Sequence, residues 1–310
     1  MLPAKNRSTR RRILDSVVHH AQYVKAIELF EQVLEARVSD DYVQGNSVIA
    51  PSGSGKTTIA QEFLSNHRPY DGEDRTIIPV LSFSMPTACT GKGVYQAALS
   101  AMGYLHLSGT EAHLGEILIN MLVACGVKVI VIDEAQHLLH IKSAQKQSQS
   151  GDCLKALMNE ARVSIILMGT SRLRELMNTN EELRSRFSKK VKIQDWKPGV
   201  EEDINEVAGV VAKLLKDSMT TLEYQELLDP AFVSRIIYAC GGRIGNLQKL
   251  LIHVLSLAET KGVRKIKSEH FEEAFRISVW DEADPKTNPF HKKFEFNLLN
   301  EPHQPFWRAV

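Results

Sequence analysis

The chain has 310 residues, of which 43% are hydrophobic and 24% charged, and its formal net charge is +1. These totals are typical of a soluble globular protein with room for one large α/β domain and a smaller one. No apolar run is long enough for a membrane span, no secretory signal is recognisable, and any contact with nucleic acid must come from a local basic patch.

The N-terminal third begins with a basic segment and then changes from a helical to a strand pattern. Residues 1–20 are interpreted as a basic arm, mobile over its first part. Apolar residues at helical spacing predict a helix over Tyr23–Leu34. A short apolar strand, Ser47–Ala50, ends in a Gly-rich loop, and a second helix is predicted over Lys56–Asn66.

Strands and helices then alternate up to residue 198. Further strands are predicted at Ile77–Phe83, Val127–Ile132, Val163–Met168 and Val191–Ile193. Pro79 favours an edge or starting position for the first of these. Helical patterns occupy Val94–Met102, Ala112–Ala124 and Cys153–Ala161. Near-continuous apolar strands alternating with helices predict a three-layer αβα core at 21–198, with a parallel five-stranded sheet covered on both faces.

The last third lacks strand patterns. Four helical stripes over 199–280 predict a small all-helical lid domain, in which Asp229-Pro230 opens the second helix and Gly241-Gly242 closes it. Residues 281–310 contain four prolines and no periodicity, and they are interpreted as an extended C-terminal tail.

The four cysteines are Cys89, Cys125, Cys153 and Cys240. None shows C-x-x-C spacing, and three lie among apolar or small residues. This distribution favours buried thiols in a reducing cytoplasm over disulfides or zinc ligands.

The loop after the first core strand has the spacing of a phosphate-binding loop. Glycines allow backbone N–H groups to turn towards phosphates at the start of a helix. Lys56 is expected to reach the β- and γ-phosphates of ATP, and the Thr57 hydroxyl to bind Mg²⁺. The predicted nucleotide-binding residues are Pro51, Ser52, Gly53, Ser54, Gly55, Lys56, Thr57 and Thr58. The first glycine of the pattern is replaced by Ala50, which is tolerable if φ is negative there.

A pair of acidic residues follows the strand Val129–Ile132. Ligands of open α/β sheets bind at the carboxyl ends of the strands, where Asp133 would stand. We expect Asp133 to hold Mg²⁺ and Glu134 to orient the water that attacks the γ-phosphate.

Weaker candidates lie further along the chain. Thr170 follows another apolar strand and could contact the γ-phosphate or its water. Arg184 and Arg186 have the fixed charge that suits a finger supplied to a neighbouring subunit, although these residues taken alone favour a solvated basic turn. Arg243, after the two glycines of the helical domain, is a similar candidate.

Taken in order, these motifs resemble the AAA+ ATPases over about residues 20–280. More narrowly, four segments resemble the TniB/TnsC family of transposition regulators, which is related to MuB. These segments are APSGSGKTT, VIVIDEAQHLL, IILMGTSRL and GGRIGNLQKLL.

The resemblance implies an ATP- and Mg²⁺-dependent ATPase in the prokaryotic cytoplasm that forms rings or helical filaments on duplex DNA. Such proteins link a target selector, of the TniQ/TnsD type or a guide-RNA complex, to a DDE transposase that stimulates hydrolysis and disassembly. The aromatic C-terminal tail is the expected docking segment for the transposase. Thr170 takes the sensor-1 place, and Arg186, or else Arg184, that of the finger. Arg243 matches sensor 2 loosely, because its spacing from the glycines differs.

In a ring around DNA, the loops after the second and third core strands face the pore. Here they contain hydroxyl and lysine side chains suited to phosphates, although each is equally understandable as a solvated residue. These candidate DNA contacts are Thr90, Lys92, Lys142 and Lys146.

Two other functions share this ATPase core. One is a replication initiator or helicase loader, which a C-terminal winged-helix domain would favour. The other is a nucleotide switch without DNA binding, which an aromatic pore loop would favour. The loop after the second strand, Pro86–Lys92, contains no aromatic residue.

Overall fold

This computed structural model describes residues 4–87, 90–139, 144–175, 181–218 and 220–307. They divide into two compact units. Residues 21–194 form the core unit, and residues 1–20 together with 195–310 form the helical unit, as far as each is described.

The strands of the core unit are β1 (Gly45–Ile49), β2 (Tyr70–Asp71), β3 (Thr76–Ile77), β4 (Val80–Ser84), β5 (Val129–Asp133), β6 (Ser164–Gly169) and β7 (Phe187–Lys192). Five of them form the predicted parallel sheet, in which the strand order is β4-β5-β6-β1-β7. Strands β1, β5 and β6 are buried along their whole length, in keeping with their apolar sequences. Pro79 directly precedes β4, which lies at a sheet edge, while β2 and β3 pair separately in an antiparallel hairpin.

The helices in chain order are α1 (Ala4–Asp15), α2 (Ala21–Ser39), α3 (Lys56–Asn66), α4 (Gly91–Ala101), α5 (Glu111–Ala124), α6 (Ala144–Glu160), α7 (Glu181–Arg186), α8 (Glu201–Asp217), α9 (Pro230–Cys240), α10 (Ile244–Thr260) and α11 (Ser268–Ser278). Two short 3₁₀ helices cover Ala135–Leu139 and Gln225–Leu228. Helices α2 to α7 belong to the core unit, where α2, α3, α4 and α6 pack against the sheet. Threonine side chains cap two helices of the core unit, Thr90 at α4 and Thr110 at α5.

The helical unit contains α1 and α8 to α11 around its own apolar core. Asp229 caps α9 by accepting hydrogen bonds from the N–H groups of Ala231 and Phe232, and Pro230 is its first residue. Gly241 ends the same helix in the left-handed conformation, with φ of 58°. Both boundaries agree with the prediction from the sequence.

At the two ends of the chain the structure differs from the expectation. The expected mobile arm contains helix α1, whose Ile13 is completely buried in the helical unit. The C-terminal tail folds as a series of turns on the same unit, with Phe290, Leu299 and Phe306 in its core. Buried Asn288 holds this segment, because its amide donates to Glu272 O at 3.0 Å and its Oδ1 accepts from the Phe290 N–H at 3.1 Å.

Candidate functional site

The loop between β1 and α3 has the backbone that phosphate binding requires. Gly53 and Gly55 have φ of 79° and 88°, in the left-handed region that residues with a Cβ atom rarely adopt. Helix α3 starts at Lys56 directly after Gly55, so its first N–H groups and its positive dipole end face the loop. The Ser54 hydroxyl donates to Pro51 O at 2.8 Å and stabilises the turn.

Ala50 fits the position at which the motif usually has glycine. Its φ is not positive, and its N–H donates to Gly169 O at 2.9 Å, which extends the pairing of β1 with β6. The condition for tolerating the extra methyl group is therefore met. Ala50 is buried, so this methyl group also contributes to the core.

The Lys56 side chain is folded back onto its own loop. Its Nζ donates to Pro51 O at 3.0 Å and to Ala50 O at 3.3 Å. Burial lowers the pKa of the Lys56 ammonium, while the carboxylates of Glu134 and Asp133 raise it. The ammonium is thus held in a partly desolvated position, where a phosphate would be a stronger partner than two carbonyl oxygens.

Thr57 and Asp133 are brought together by α3 and β5. The Thr57 hydroxyl donates to Asp133 Oδ2 at 2.7 Å, and the other carboxylate oxygen accepts from the Glu134 N–H at 2.8 Å. Asp133 is 6% exposed at the carboxyl end of its strand. Its carboxylate is therefore fixed in orientation by two hydrogen bonds.

Glu134 stands in a strained backbone conformation. Its φ is 54°, which is uncommon for a residue other than Gly, Asn or Asp and costs on the order of 1–3 kcal/mol. One oxygen of its carboxylate, Oε2, accepts a hydrogen bond from Gln136 Nε2. Nε2 of His137 lies 3.9 Å from the same oxygen. Backbone strain of this kind is concentrated at functional sites.

Gln136 is a part of the site that the sequence reasoning missed. It lies two residues after Glu134 in the 3₁₀ helix, is 6% exposed, and its Oε1 accepts from the Thr170 N–H at 3.1 Å. The sequence pattern that could have identified it is a glutamine two residues after the glutamate, in Asp133-Glu134-Ala135-Gln136. Thr170 itself is half-buried and follows β6 directly, at the same end of the sheet as Asp133.

The donor set fits the predicted ligands. A hydroxyl and a carboxylate with oxygens 2.7 Å apart are hard oxygen ligands of the kind that Mg²⁺ prefers, and Thr57 and Asp133 would hold the ion. Glycines in the left-handed region, a helix N-terminus and the Lys56 ammonium together form an anion-binding loop suited to phosphates. Bound Mg²⁺ would neutralise phosphate charge there.

The three candidate arginines lie in different surroundings. Arg184 is exposed at the end of α7, whereas Arg186 is half-buried and donates to Asn159 Oδ1 of its own chain at 2.9 Å. Arg243 belongs to the helical unit, where its Nε lies 3.3 Å from Asp195 Oδ1. Its guanidinium stands 5.8 Å from the ring centroid of Phe306.

The candidate DNA contacts are only partly described. Thr90 caps α4, since its hydroxyl accepts from the Gly93 N–H at 3.4 Å, and Lys92 is half-buried in the first turn of that helix. Lys142 lies outside the described residues. Lys146 lies in α6, and its side chain is also outside the described part.

A comparison with protein families gives one match. The family model described as "TniB: Bacterial TniB protein" matches residues 11–198, more than half of the chain, including the whole core unit. No curated protein matches the chain.

Solved structures of low sequence identity share the fold. The Aeropyrum pernix ORC2 protein, in ADPNP–ADP complexes, is 14% identical with a TM-score of 0.64, covering 88% of this chain and 73% of its own. The A. pernix ORC1 protein in complex with DNA is 16% identical with a TM-score of 0.62, covering 86% and 68%. Cdc6p from Pyrobaculum aerophilum is 10% identical with a TM-score of 0.61, covering 86% and 70%.

These matches confirm the predicted fold class, an AAA+ P-loop core with a parallel five-stranded sheet and a helical domain. Within the described parts of the chain, no helix combines the length and the apolar character of a membrane span.

Proposed function

This chain belongs to the TniB family of bacterial proteins, and we propose that it is an ATPase that assembles on duplex DNA during transposition. The observation that carries the proposal is the arrangement of Gly53, Gly55, Lys56, Thr57 and Asp133, which suits the binding of Mg-ATP and lies within the residues that the family model matches.

In the proposed reaction, each side chain has a separate task. Lys56 leaves the carbonyl oxygens of its loop and binds the β- and γ-phosphates. Thr57 and Asp133 hold Mg²⁺, Glu134 orients the attacking water, and Thr170 contacts the γ-phosphate or that water. Because phosphoryl transfer depends mostly on positioning and charge neutralisation, this set is the contribution of one subunit to hydrolysis.

Hydrolysis is proposed to be completed in the assembled state. Arg184 is exposed at the end of α7 and is one candidate for a finger supplied to a neighbouring subunit. Arg186, the other finger candidate, would have to release Asn159 first. A finger supplied by a neighbour makes the rate depend on assembly, and hydrolysis then controls disassembly.

The proposed polyanionic partner is duplex DNA, contacted through phosphates by Thr90, Lys92, Lys142 and Lys146. The net charge of +1 requires such a local contact, and ORC1, a protein of the same fold, was solved with DNA. The proposed protein partners are a TniQ/TnsD-type target selector and a DDE transposase. For the transposase, the tail offers Phe296 and Trp307, whose rings are half-exposed.

The test is negative-stain electron microscopy of the purified chain with duplex DNA, comparing a non-hydrolysable ATP analogue with ADP. We expect rings or helical filaments on DNA with the analogue and their absence with ADP. The K56A variant should form none, whereas E134Q should assemble with ATP and fail to disassemble. Particles that stay off DNA in every nucleotide state would overturn the DNA-scaffold function and favour a nucleotide switch.

A replication initiator is distinguished by what the assembly recruits. A transposition regulator should retain the transposase of its own element in a pull-down on DNA with the ATP analogue, and lose it with ADP. Retention of a replicative helicase instead would favour the initiator.

A further inference from the structure

One side chain connects two candidate groups of the ATP site. Gln136 donates through Nε2 to Glu134 Oε2 and accepts through Oε1 from the Thr170 N–H. Its amide therefore links the carboxylate after β5 to the backbone after β6. Both hydrogen bonds are part-buried, because Gln136 is 6% exposed whereas the Glu134 side chain is 39% exposed.

Space for this connection is provided by a glycine. A Cβ atom at Gly169 would stand 2.6 Å from Gln136 Oε1 and 3.3 Å from Gln136 N. The first distance is too short for any side chain, so residue 169 has to be glycine for the amide to stay in place. The close approach of β6 and the 3₁₀ helix thus depends on two residues that have no assigned role.

A purely structural role of Gln136 would explain only one of its two hydrogen bonds, the one from the Thr170 N–H. To satisfy the Thr170 N–H, an acceptor oxygen is enough. The amide N–H group that points at Glu134 is an additional, directional contact on the carboxylate that is expected to orient water. The positive φ of Glu134 fixes where its Cβ stands, and the hydrogen bond restricts the remaining rotation of the side chain.

We propose that Gln136 is a positioning residue for ATP hydrolysis, which holds the Glu134 carboxylate at a fixed place relative to Thr170. This inference rests on the proposed function, because it takes Glu134 as the group that orients the attacking water. Gln136 does not touch the reacting atoms; it acts through Glu134. A displacement of a catalytic group by about 1 Å can cost on the order of a hundredfold in rate.

The variants are Q136E and Q136M, compared with the wild-type chain. Glutamate keeps an oxygen for the Thr170 N–H but places a second carboxylate against Glu134, so Q136E should melt below wild type, whereas methionine removes the donor without adding a charge. We expect kcat for ATP to fall by about tenfold to a hundredfold in both variants while the protein is folded. The control is Q96E, which makes the same change at a half-buried glutamine whose amide donates at 2.9 Å to Leu107 O. Its kcat should not change.

A swapped pair provides a measurement that is independent of activity. In E134Q/Q136E the donor and the acceptor are exchanged, so the hydrogen bond can form again while Glu134 is absent. We expect the double variant to recover any melting temperature or ATP-analogue affinity lost in Q136E, yet to remain inactive.

Several outcomes would overturn the inference. One is a kcat of Q136M within about twofold of wild type; another is a loss of kcat that disappears at assay temperatures well below the melting temperature of the variant. Both would leave the proposed function standing, since wild type would still hydrolyse ATP and assemble on DNA. A wild-type chain without turnover, with and without DNA, would overturn this inference together with the proposed hydrolysis.

Discussion

The Thr57 hydroxyl donates a hydrogen bond of 2.7 Å to Asp133 Oδ2. The two residues are far apart in sequence, and the contact joins the first turn of α3 to the carboxyl end of β5. Since the second oxygen of Asp133 accepts from the Glu134 N–H, the aspartate is oriented before any ligand arrives. Preorganised oxygens of this kind bind a cation with little rearrangement.

This contact predicts a metal-dependent defect in T57V. The valine keeps the shape of the side chain and removes the hydroxyl, so the affinity for ATP should fall about tenfold or more with Mg²⁺ and little in EDTA. Titration with a fluorescent ATP analogue under both conditions measures the difference. T57S, which retains the hydroxyl, should bind like wild type. Equal losses with and without Mg²⁺ would contradict a role in metal binding.

We expect Lys56 to lower the stability of the nucleotide-free protein and to be required for the binding of ATP. Burial lowers the pKa of its ammonium, so the charged form is disfavoured in the folded state without nucleotide. We therefore expect K56M to melt at the same temperature as wild type or higher in the absence of nucleotide. ATP at a hundredfold excess over Kd should stabilise wild type by about 2.7 kcal/mol and K56M not at all.

Differential scanning calorimetry with and without Mg-ATP checks both expectations. The matched control is K25M, in which an exposed lysine of α2 is replaced in the same unit. It should keep the full stabilisation by ATP. A K56M chain that loses stability without nucleotide would show that the ammonium makes a net favourable contribution at its two carbonyl oxygens.

Much of the fold was predictable because its signals are local. Apolar runs marked four strands of the parallel sheet, whereas β7 overlaps the predicted Val191–Ile193 only at its end; Asp229-Pro230 and Gly241 marked the ends of α9. The site residues Lys56, Thr57 and Asp133 follow from short motifs at strand ends, and the structure brings them together.

What the sequence could not predict depends on contacts between distant residues. Helix α1 has few apolar residues, and the burial of Ile13 comes from helices more than 180 residues away along the chain. The tail has no periodicity because Asn288 and separate aromatic residues, rather than a helix face, hold it. Gln136 was missed because its role is visible only when β5 and β6 lie side by side.

Two buried serines on neighbouring strands predict opposite effects of the same substitution. In β6, Ser164 Oγ accepts from the Gln44 N–H at 3.1 Å, whereas the Oγ of Ser47 in β1 has no hydrogen-bond partner among the described residues. Both serines are completely buried. We expect S164A to lower the free energy of unfolding by about 1–2 kcal/mol, and S47A to leave it unchanged or raise it by up to about 1 kcal/mol.

Urea unfolding followed by circular dichroism compares the two serine variants. Because the substitutions remove the same atom, the loss of volume cancels in the comparison. A clear destabilisation by S47A would indicate a buried water on its hydroxyl.

Asn288 predicts how the tail is held. In N288A the Phe290 N–H and Glu272 O lose their partners, which should destabilise the helical unit by about 1–3 kcal/mol. Trypsin should then cut faster after Lys292 and Lys293, as measured by mass spectrometry of the released tail. The exposed Asn297 offers the control N297A, which should be cut at the wild-type rate. Equal rates in both variants would mean that the aromatic contacts are sufficient.

His20 predicts that the helical unit loses stability at acidic pH. Burial lowers the pKa of its imidazole; Glu206 partly opposes this effect, and His19 adds to it. The ring packs edge-on against Trp196, with centroids 5.3 Å apart. Since the folded pKa lies below the unfolded value of 6.5, the unfolded state takes up a proton first as the pH falls. The stabilisation is therefore present above this pH and is lost below it.

All three tryptophans, Trp196, Trp280 and Trp307, lie in the helical unit, so their fluorescence during urea unfolding follows that unit. Wild type should lose more free energy of unfolding between pH 7 and pH 5 than H20Q, which has no group to protonate at this position. The exposed His303 of the same unit provides the control H303Q, which should lose as much as wild type. If H20Q also showed the full wild-type loss, the acid sensitivity would have to come from other groups of the unit, because the buried imidazole would then contribute nothing to it.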